Sequence, residues 1–187
     1  MQTPAEAKEL ATQDQTLLVL LAQSGDRGAL EELLREAYGP LRRYVMYLAG
    51  ADFADDILQE TSLQIFRKLQ FLREPAVFRA WTFRIASRIA FAHLKSARRW
   101  QPLEDAPVDQ LMTFDAGMGE PPDEGFLNLI EHVSPASRAV LLLRYQQDVS
   151  LEEAAAILEI PVGTAKSRLH YGVTMLRKYL TEERKPV

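Results

Sequence analysis

Residues 148–180 contain two short helical patterns that meet at a tight break, and this arrangement constrains the fold more than any other feature. Ser150 followed by Glu153 is the pattern of a capping box, which predicts the start of a helix. Pro161 prevents that helix from continuing, because a proline disfavours the α conformation of the residue before it. A second helix is predicted to begin near Gly163. This order of cap, break and second helix predicts a helix-turn-helix, whose second helix enters the DNA major groove.

The start of this second helix is small, polar and basic, and its predicted DNA-contacting residues are Thr164, Lys166, Ser167 and Arg168. Arginine suits this role because its guanidinium pairs bidentately with guanine. The apolar positions predicted to face inward are Leu169, Val173, Leu176 and Leu180. An ordinary helical hairpin with solvated basic residues is the alternative, but the coincidence of cap, break and basic face favours DNA binding.

The composition excludes several classes of protein. The chain has no cysteine, which excludes disulfides, cysteine-ligated metals and thiol catalysis. It has no run of about eighteen apolar residues, so no membrane span is expected. The N-terminus lacks the basic start and apolar stretch of a signal peptide. We therefore expect a cytoplasmic protein with one large or two small cores.

Charge is strongly segregated along the chain, which the net charge of −4 conceals. Residues 67–99 hold nine basic residues and one acidic residue, and residues 162–187 hold six basic and two acidic residues. Residues 100–124, between them, hold seven acidic residues and no basic residue. Because local charge decides binding to a polyanion, the two basic blocks predict DNA contacts in an acidic chain.

Almost every segment has helical periodicity and no convincing strand alternation is present, so an all-α fold is predicted. One predicted helix begins at Asp26 and ends at Gly39, with Pro40 in the first turn of the next helix. A helix over residues 52–69 is predicted to bury Leu58, Ile65, Phe66 and Leu69.

The chain is predicted to contain two small helical domains. Residues 101–123 are acidic and contain several prolines and glycines, which indicates a flexible linker. The predicted domains are therefore residues 1–100 and residues 124–187, and the second contains the helix-turn-helix.

A second candidate DNA surface lies in residues 76–100, a helical pattern rich in basic and aromatic residues. Its predicted DNA-contacting residues are Arg84, Arg88, Phe91, Lys95, Arg98 and Arg99. Most of these cations recur at helical spacing on one face, where they would hold phosphates while aromatic rings stack on unpaired bases. The residues alone leave an alternative open, in which the arginines are merely solvated and Phe91 belongs to the core.

Four segments in order resemble the extracytoplasmic-function group of the bacterial sigma-70 family. They read SGDRGALEELLREAYGPLRRYV, DDILQETSLQIFRKL, FRAWTFRIASRIAFAHLKSARR and SPASRAVLLLRYQQDVSLEEAAAILEIPVGTAKSRLHYGVTMLRKYL. The resemblance implies an alternative sigma factor that joins core RNA polymerase, recognises the minus-35 and minus-10 promoter elements and promotes strand opening. It also implies an anti-sigma factor as a partner.

The resemblance assigns roles to three helices. It implies that one helix docks on the β′ clamp helices of core polymerase through Asp55, Asp56, Gln59 and Glu60. It implies that the arginine-aromatic helix meets the minus-10 element and its separated strand. The helix-turn-helix would read the minus-35 element, and its surroundings would bind the β flap.

Three departures from the family pattern stand out. Arg88 occupies a position where asparagine is frequent, so a phosphate contact or stacking replaces amide recognition of a flipped base. Glu159 replaces the turn glycine, which would cost ~1–2 kcal/mol if the backbone is left-handed. Tyr171 and Gly172 stand where Arg-Ala is usual, which removes one phosphate contact.

Two other functional classes fit the residues less well. A helix-turn-helix regulator that acts without core polymerase would explain residues 164–168 but not the acidic helix or the arginine-aromatic helix. An enzyme is disfavoured because His93, His132 and His170 are isolated and no catalytic motif is present. No metal and no cofactor is predicted.

Overall fold

The computed structural model describes residues 4–97 and 129–183, with side chains described over 13–97 and 129–181. All regular structure in these residues is helical, which confirms the all-α prediction. The α-helices are α1 (Pro4–Gln23), α2 (Arg27–Ala49), α3 (Ala51–Lys68), α4 (Phe78–Ser96), α5 (Pro135–Leu141), α6 (Leu151–Leu158) and α7 (Val162–Glu183). Short 3-10 turns span Leu69–Phe71, Pro75–Val77 and Ile130–His132, and a π turn, Leu142–Gln146, follows α5.

Two sequence predictions fall partly or wholly beyond this range. The predicted linker over residues 101–123 and the first half of the predicted helix over 124–133 lie outside the described residues. Among the helices that are described, none is both long enough and apolar enough to cross a membrane.

α1 to α4 form an N-terminal helical domain around a shared apolar core. α2 begins where the Asp26 carboxylate accepts a hydrogen bond from the Ala29 N–H at 3.0 Å, which confirms the predicted cap. Tyr44 of α2 packs edge-on against Phe83 of α4, with ring centroids 5.3 Å apart, and its hydroxyl lies 2.7 Å from Ser87 Oγ. Because burial disfavours the phenolate, the pKa of Tyr44 lies well above its ordinary value. These buried contacts fix the position of α4 against α2.

The predicted break at Gly39 and Pro40 is wrong, because α2 continues through both residues. A proline inside a helix costs ~3 kcal/mol, since it removes one hydrogen-bond donor and crowds the preceding turn. Leu33 before the proline and Leu41 and Leu48 after it are all buried on one side of α2. Burial of each such side chain contributes about 1.5–3 kcal/mol, which offsets the cost of the proline.

Two residues predicted to be buried are exposed. Phe66 is 60% exposed because its neighbour Ile65, at 1%, occupies the core-facing position, and successive helical residues point ~100° apart. Leu180 is 46% exposed although it shares a helix face with Leu176, which is buried at 4%, so the core contact on this face does not extend to Leu180. The residues of α3 that are buried as predicted are Leu58, Ile65 and Leu69.

α5, α6 and α7 form the C-terminal helical domain. α5 begins at Ser134, whose Oγ accepts a hydrogen bond from the Ser137 N–H at 3.4 Å, with Pro135 in the first turn as predicted. α7 crosses α5 so closely that a Cβ on Gly172 would lie 2.6 Å from Leu141 Cδ1. This crossing gives the glycine at position 172 a packing reason, because a larger residue would have to displace buried Leu141.

The two domains touch each other through arginines. Arg138 of α5 reaches the C-terminal end of α2, where its Nη1 donates to the carbonyls of Tyr47 at 3.3 Å and Leu48 at 3.2 Å. Arg79 of α4 donates from Nη2 to the carbonyl of Gln147 at 2.7 Å. Burial lowers the pKa of Arg79 and of Arg138 from the ordinary arginine value. Both guanidinium groups remain charged at neutral pH because arginine titrates far above that range.

Candidate nucleic-acid interface

The turn between α6 and α7 has the predicted helix-turn-helix geometry. Ser150 Oγ accepts from the Glu153 N–H at 3.1 Å, and the Glu153 carboxylate accepts from the Ser150 N–H at 2.7 Å, so the capping box is present. α6 ends at Glu159, whose backbone is left-handed with φ 56° and ψ 42°. Pro161 follows, and α7 begins at Val162. Glutamate therefore occupies a position that favours glycine, at a cost of ~1–2 kcal/mol.

The first turns of α7, called here the recognition turns, carry the predicted DNA-contacting residues Thr164, Lys166, Ser167 and Arg168. Ala165 among them is completely buried, which fixes the rotation of the helix. Lys166 is exposed and the other three are partly exposed. Ser167 Oγ donates to the Thr164 carbonyl at 3.0 Å, so its hydroxyl keeps acceptor capacity for DNA. The helix N-terminus adds partial positive charge beside these side chains.

The second predicted surface lies on α4, and its basic face comprises Arg84, Arg88 and Lys95. Arg88 and Lys95 are exposed, whereas Arg84 is partly buried. Phe91 is partly buried against the apolar core, so the ring belongs in part to the packing of the domain. Arg98 and Arg99 lie outside the described residues.

Two arginines of this basic face contact the helix-turn-helix. Arg88 Nη2 and Nε lie 2.6 and 2.8 Å from the same carboxylate oxygen of Glu159. Arg84 Nη2 donates to the Ala156 carbonyl at 3.2 Å, while Arg84 Nε is buried with no hydrogen-bond partner among the described residues. Helical periodicity does not predict these contacts. One indication of the contact between Arg88 and Glu159 is present in the sequence, because both residues depart from the pattern of the family that the chain resembles.

The acidic face of α3 is made of four exposed residues, Asp55, Asp56, Gln59 and Glu60. Glu60 Oε2 lies 3.4 Å from His93 Nε2 of α4. The face continues along the helix into Leu63, which is 48% exposed, and Phe66. Gln59, Leu63 and Phe66 are spaced by four and three residues, so charged and apolar groups share one side of α3. Periodicity alone missed the apolar part, because it placed Phe66 in the core.

The described residues contain no group of three or more metal-binding side chains close enough to hold an ion. His93 packs against Phe53, with ring centroids 6.3 Å apart, and His132 stacks on Tyr179 at 4.3 Å. These ring contacts give both histidines a role in packing.

Models of two sigma factor regions match this chain. The model described as Sigma-70 region 2 matches residues 30–100, which include α3, α4 and most of α2. The model described as Sigma-70, region 4 matches residues 123–176, which include the helix-turn-helix. The two matches follow the order of the two helical domains along the chain.

Curated relatives are similar over most of the chain. The RNA polymerase sigma-H factor of Pseudomonas aeruginosa is 29% identical over 171 residues, which cover 84% of this chain and 88% of that protein. The ECF RNA polymerase sigma factor SigE of Mycolicibacterium smegmatis is 28% identical, over 85% of this chain and 65% of that protein. The ECF RNA polymerase sigma-E factor of Salmonella typhimurium is 26% identical, over 82% and 87%.

Solved structures share the fold. CnrH in complex with the cytosolic domain of CnrY superposes with a TM-score of 0.65 at 21% identity, over 91% of this chain and 99% of that chain. The sigma factor RpoE from Bartonella quintana, in complex with the anti-sigma factor NepR, gives a TM-score of 0.62 at 22% identity, over 82% and 98%. At 21–22% identity, the similarity to these solved structures shows the fold alone, while the family models and the curated relatives show the family. The chain belongs to the bacterial sigma-70 family, as an extracytoplasmic-function alternative sigma factor.

Proposed function

We propose that this sigma factor divides promoter recognition between its two domains. The recognition turns of α7 read the minus-35 element, and α4 contacts the minus-10 element and its separated strand. The observation that carries the proposal is the position of Lys166 and its neighbours at a helix N-terminus, with buried Ala165 holding the helix in place. The domain boundaries proposed from the sequence, 1–100, 101–123 and 124–187, accord with this division.

On α4, three cations and an aromatic ring lie along about three helical turns. Arg84, Arg88 and Lys95 offer phosphate contacts, and the exposed part of Phe91 offers a stacking surface for an unpaired base. The proposed DNA-contacting set also includes Arg98 and Arg99, three and four residues after Lys95 in the sequence.

α3 is the proposed docking helix for the β′ clamp helices of core RNA polymerase. Its acidic face, Asp55, Asp56, Gln59 and Glu60, would steer a basic partner helix into place. Leu63 and Phe66 beside it offer the apolar surface that gives an interface most of its binding energy. The helices around the recognition turns would meet the β flap.

The proposed partners are core RNA polymerase, promoter DNA and an anti-sigma factor. The last is supported by solved structures of the same fold, which hold the cytosolic domain of CnrY and the anti-sigma factor NepR. A factor that works on polymerase and the chromosome acts in the cytoplasm. Its role is binding rather than catalysis, without a cofactor. A regulator independent of core polymerase would leave the match of residues 30–100 to Sigma-70 region 2 unexplained.

Transcription reconstituted with core polymerase on a library of genomic promoters tests the function as a whole. Specific initiation that requires the protein is the expected result, and its absence on every promoter would refute the proposal. A core pull-down tests the docking helix. Asp56→Lys with Glu60→Lys should weaken association about tenfold or more, since two attractive contacts become repulsive.

The matched control is Asp14→Lys with Glu36→Lys, which makes the same charge change at exposed positions of α1 and α2. Its affinity for core polymerase should stay within about twofold of the wild type. Equal losses in both pairs, with unchanged helical content, would assign the effect to net charge and remove α3 from the docking site.

A further inference from the structure

Arg88 and Glu159 lie 71 residues apart in the chain and contact each other across the two domains. The guanidinium directs Nε and Nη2 at one carboxylate oxygen, at 2.8 and 2.6 Å. The Nε and Nη2 donors that the carboxylate engages are not available to a DNA phosphate at the same time. The contact therefore competes with the role proposed for Arg88.

The backbone conformation of the turn at position 159 disfavours glutamate. Its φ of 56° is in the left-handed region, where glycine is the preferred residue. At this position, however, the glutamate side chain forms an ion pair with Arg88. The residue thus stabilises the arrangement of the two domains at the expense of the helix-turn-helix itself.

Other arginines of α4 also donate hydrogen bonds across the domains, and the buried apolar residues of both domains form one cluster. Arg84 donates to the Ala156 carbonyl at 3.2 Å, and Arg79 to the Gln147 carbonyl at 2.7 Å. A hydrogen bond made by a charged group contributes more than a neutral one, so these two bonds also stabilise the closed arrangement. Arg84 Nε is buried without a partner in the described part of the chain, which disfavours the closed arrangement.

The closed arrangement cannot occupy both promoter elements. The minus-35 and minus-10 elements lie about 25 base pairs apart, which is roughly 85 Å at ~3.4 Å per base pair. A compact chain of this length has a radius of gyration of only about 16 Å. Since α6 packs directly on α4 here, the two DNA-contacting helices must separate before both elements are bound.

We propose that the Arg88–Glu159 pair is an autoinhibitory latch, which holds the free sigma factor closed and engages Arg88 of the basic face of α4. Promoter DNA competes for Arg88 and so favours the open form. The inference rests on the proposed promoter-binding role of α4, and its test separates the two.

The chain contains no cysteine, so two introduced cysteines can carry nitroxide labels without a background. Gln70→Cys and Thr174→Cys place one label at an exposed position of each domain, and double electron-electron resonance then reports the interdomain distance. The wild type should give one short distance. Arg88→Ala and Glu159→Gln should each add a longer, broader population, and the exchange Arg88→Glu with Glu159→Arg should restore the short one.

Lys95→Ala is the matched control, since it removes an exposed cation two turns further along the same helix. It should leave the distance distribution unchanged. An open wild type, or a closed distribution that survives in both Arg88→Ala and Glu159→Gln, would overturn the latch. Circular dichroism of each variant checks that the helices are intact.

Binding of a random-sequence DNA duplex gives a second readout in the full-length protein. Glu159→Gln frees Arg88 and should bind about two- to fivefold tighter, as expected for loss of one partly exposed ion pair. Glu152→Gln removes an exposed carboxylate from the same helix, α6, and should change affinity less than about twofold. Equal gains would attribute the effect to charge alone and refute the latch.

Reconstituted transcription by the wild type keeps the two proposals apart. Promoter-specific initiation without any distance change in the variants refutes the latch and leaves the proposed function standing. If the variants open but the wild type initiates on no promoter, the latch stands and the proposed function is refuted.

Discussion

The recognition turns of α7 and the basic face of α4 use similar residues, yet they lie in opposite environments. Lys166 is exposed at a helix N-terminus, whereas Arg84 and Arg88 are held by a carbonyl and a carboxylate of the other domain. Reading a duplex requires a preformed, rigid helix, and α7 supplies one. Contact with a separated strand is needed only after docking, so Arg84 and Arg88 can stay engaged by the other domain until then. Contacts between domains, rather than composition, distinguish a surface ready to bind from one that must be uncovered.

The largest expected effect tests the exposed side of this comparison. Arg168→Ala should relax base preference at one or two positions of the minus-35 element, because a bidentate arginine-guanine contact is worth ~1–3 kcal/mol of discrimination. Selection of randomised minus-35 sequences by the holoenzyme, followed by sequencing, measures the preference. Arg177→Ala, about two and a half turns further along α7, is the control and should weaken binding evenly with a smaller salt dependence. An unchanged preference in Arg168→Ala would assign base reading to the other recognition-turn residues.

A second prediction tests what holds α7 in position. Glycine to alanine inside a helix usually stabilises by about 0.5–1 kcal/mol. At Gly172 the new Cβ would meet Leu141 Cδ1 at 2.6 Å and Cγ at 3.1 Å, and Leu141 is fully buried. Gly172→Ala should therefore lower the free energy of unfolding by about 1–3 kcal/mol, as overpacking does. Urea unfolding measures the change.

Gly163→Ala is the matched control on the same helix, because its Cβ would meet no atom within 4 Å among the described residues other than its chain neighbours and the nearby backbone of α7. It should stabilise the protein by the ordinary helical increment of about 0.5–1 kcal/mol. If both alanines stabilise equally, Leu141 yields to the new methyl group and the crossing of α5 and α7 is not constrained by glycine.

The covered side of the comparison is tested by strand opening. Arg88→Ala and Phe91→Ala should spare the first, closed complex of holoenzyme with promoter and reduce opening about tenfold, since stacking on one base is worth ~1–3 kcal/mol. Permanganate reactivity of unpaired thymines follows the opening. A pre-melted bubble template should rescue both variants. Normal opening of a duplex promoter would remove α4 from this role, and failure of the bubble to rescue Phe91→Ala would assign Phe91 to packing alone.

The elements that sequence predicted well are those stabilised by local hydrogen bonds. The capping box joins Ser150 and Glu153, which are three residues apart, so its sequence pattern is sufficient. The break predicted at Pro40 was wrong because the apolar face of α2, buried against distant helices, outweighs the local preference. Phe66 was placed in the core because periodicity fixes only the direction of a side chain, not what lies opposite.

The same distinction applies to the candidate site. The residues of the recognition turns follow one another in the chain, so their common location is a local property. The contact between Arg88 and Glu159 depends on how two domains pack, which no helical period contains. Unusual residues at two separate family positions were the available signal, and a direct contact gives those departures a common physical reason.

The smallest expected effect separates the latch from the turn that carries it. Glu159→Gly relieves a left-handed residue, worth about 1 kcal/mol, and removes an ion pair whose side chains are 68% and 43% exposed. Such an exposed pair contributes only ~0–1 kcal/mol, so the free energy of unfolding should stay the same or rise slightly. Glu159→Ala loses the same pair but keeps a Cβ in the left-handed turn, so it should be less stable than Glu159→Gly by about 1 kcal/mol.

Salt separates the contribution of the ion pair from that of the backbone, because it screens the pair and leaves the backbone cost unchanged. The stability gap between glycine and alanine should therefore persist in high salt while the domain separation of wild type and variants converges. Equal stability of the glycine and alanine variants would show that the left-handed turn carries no cost for a residue other than glycine.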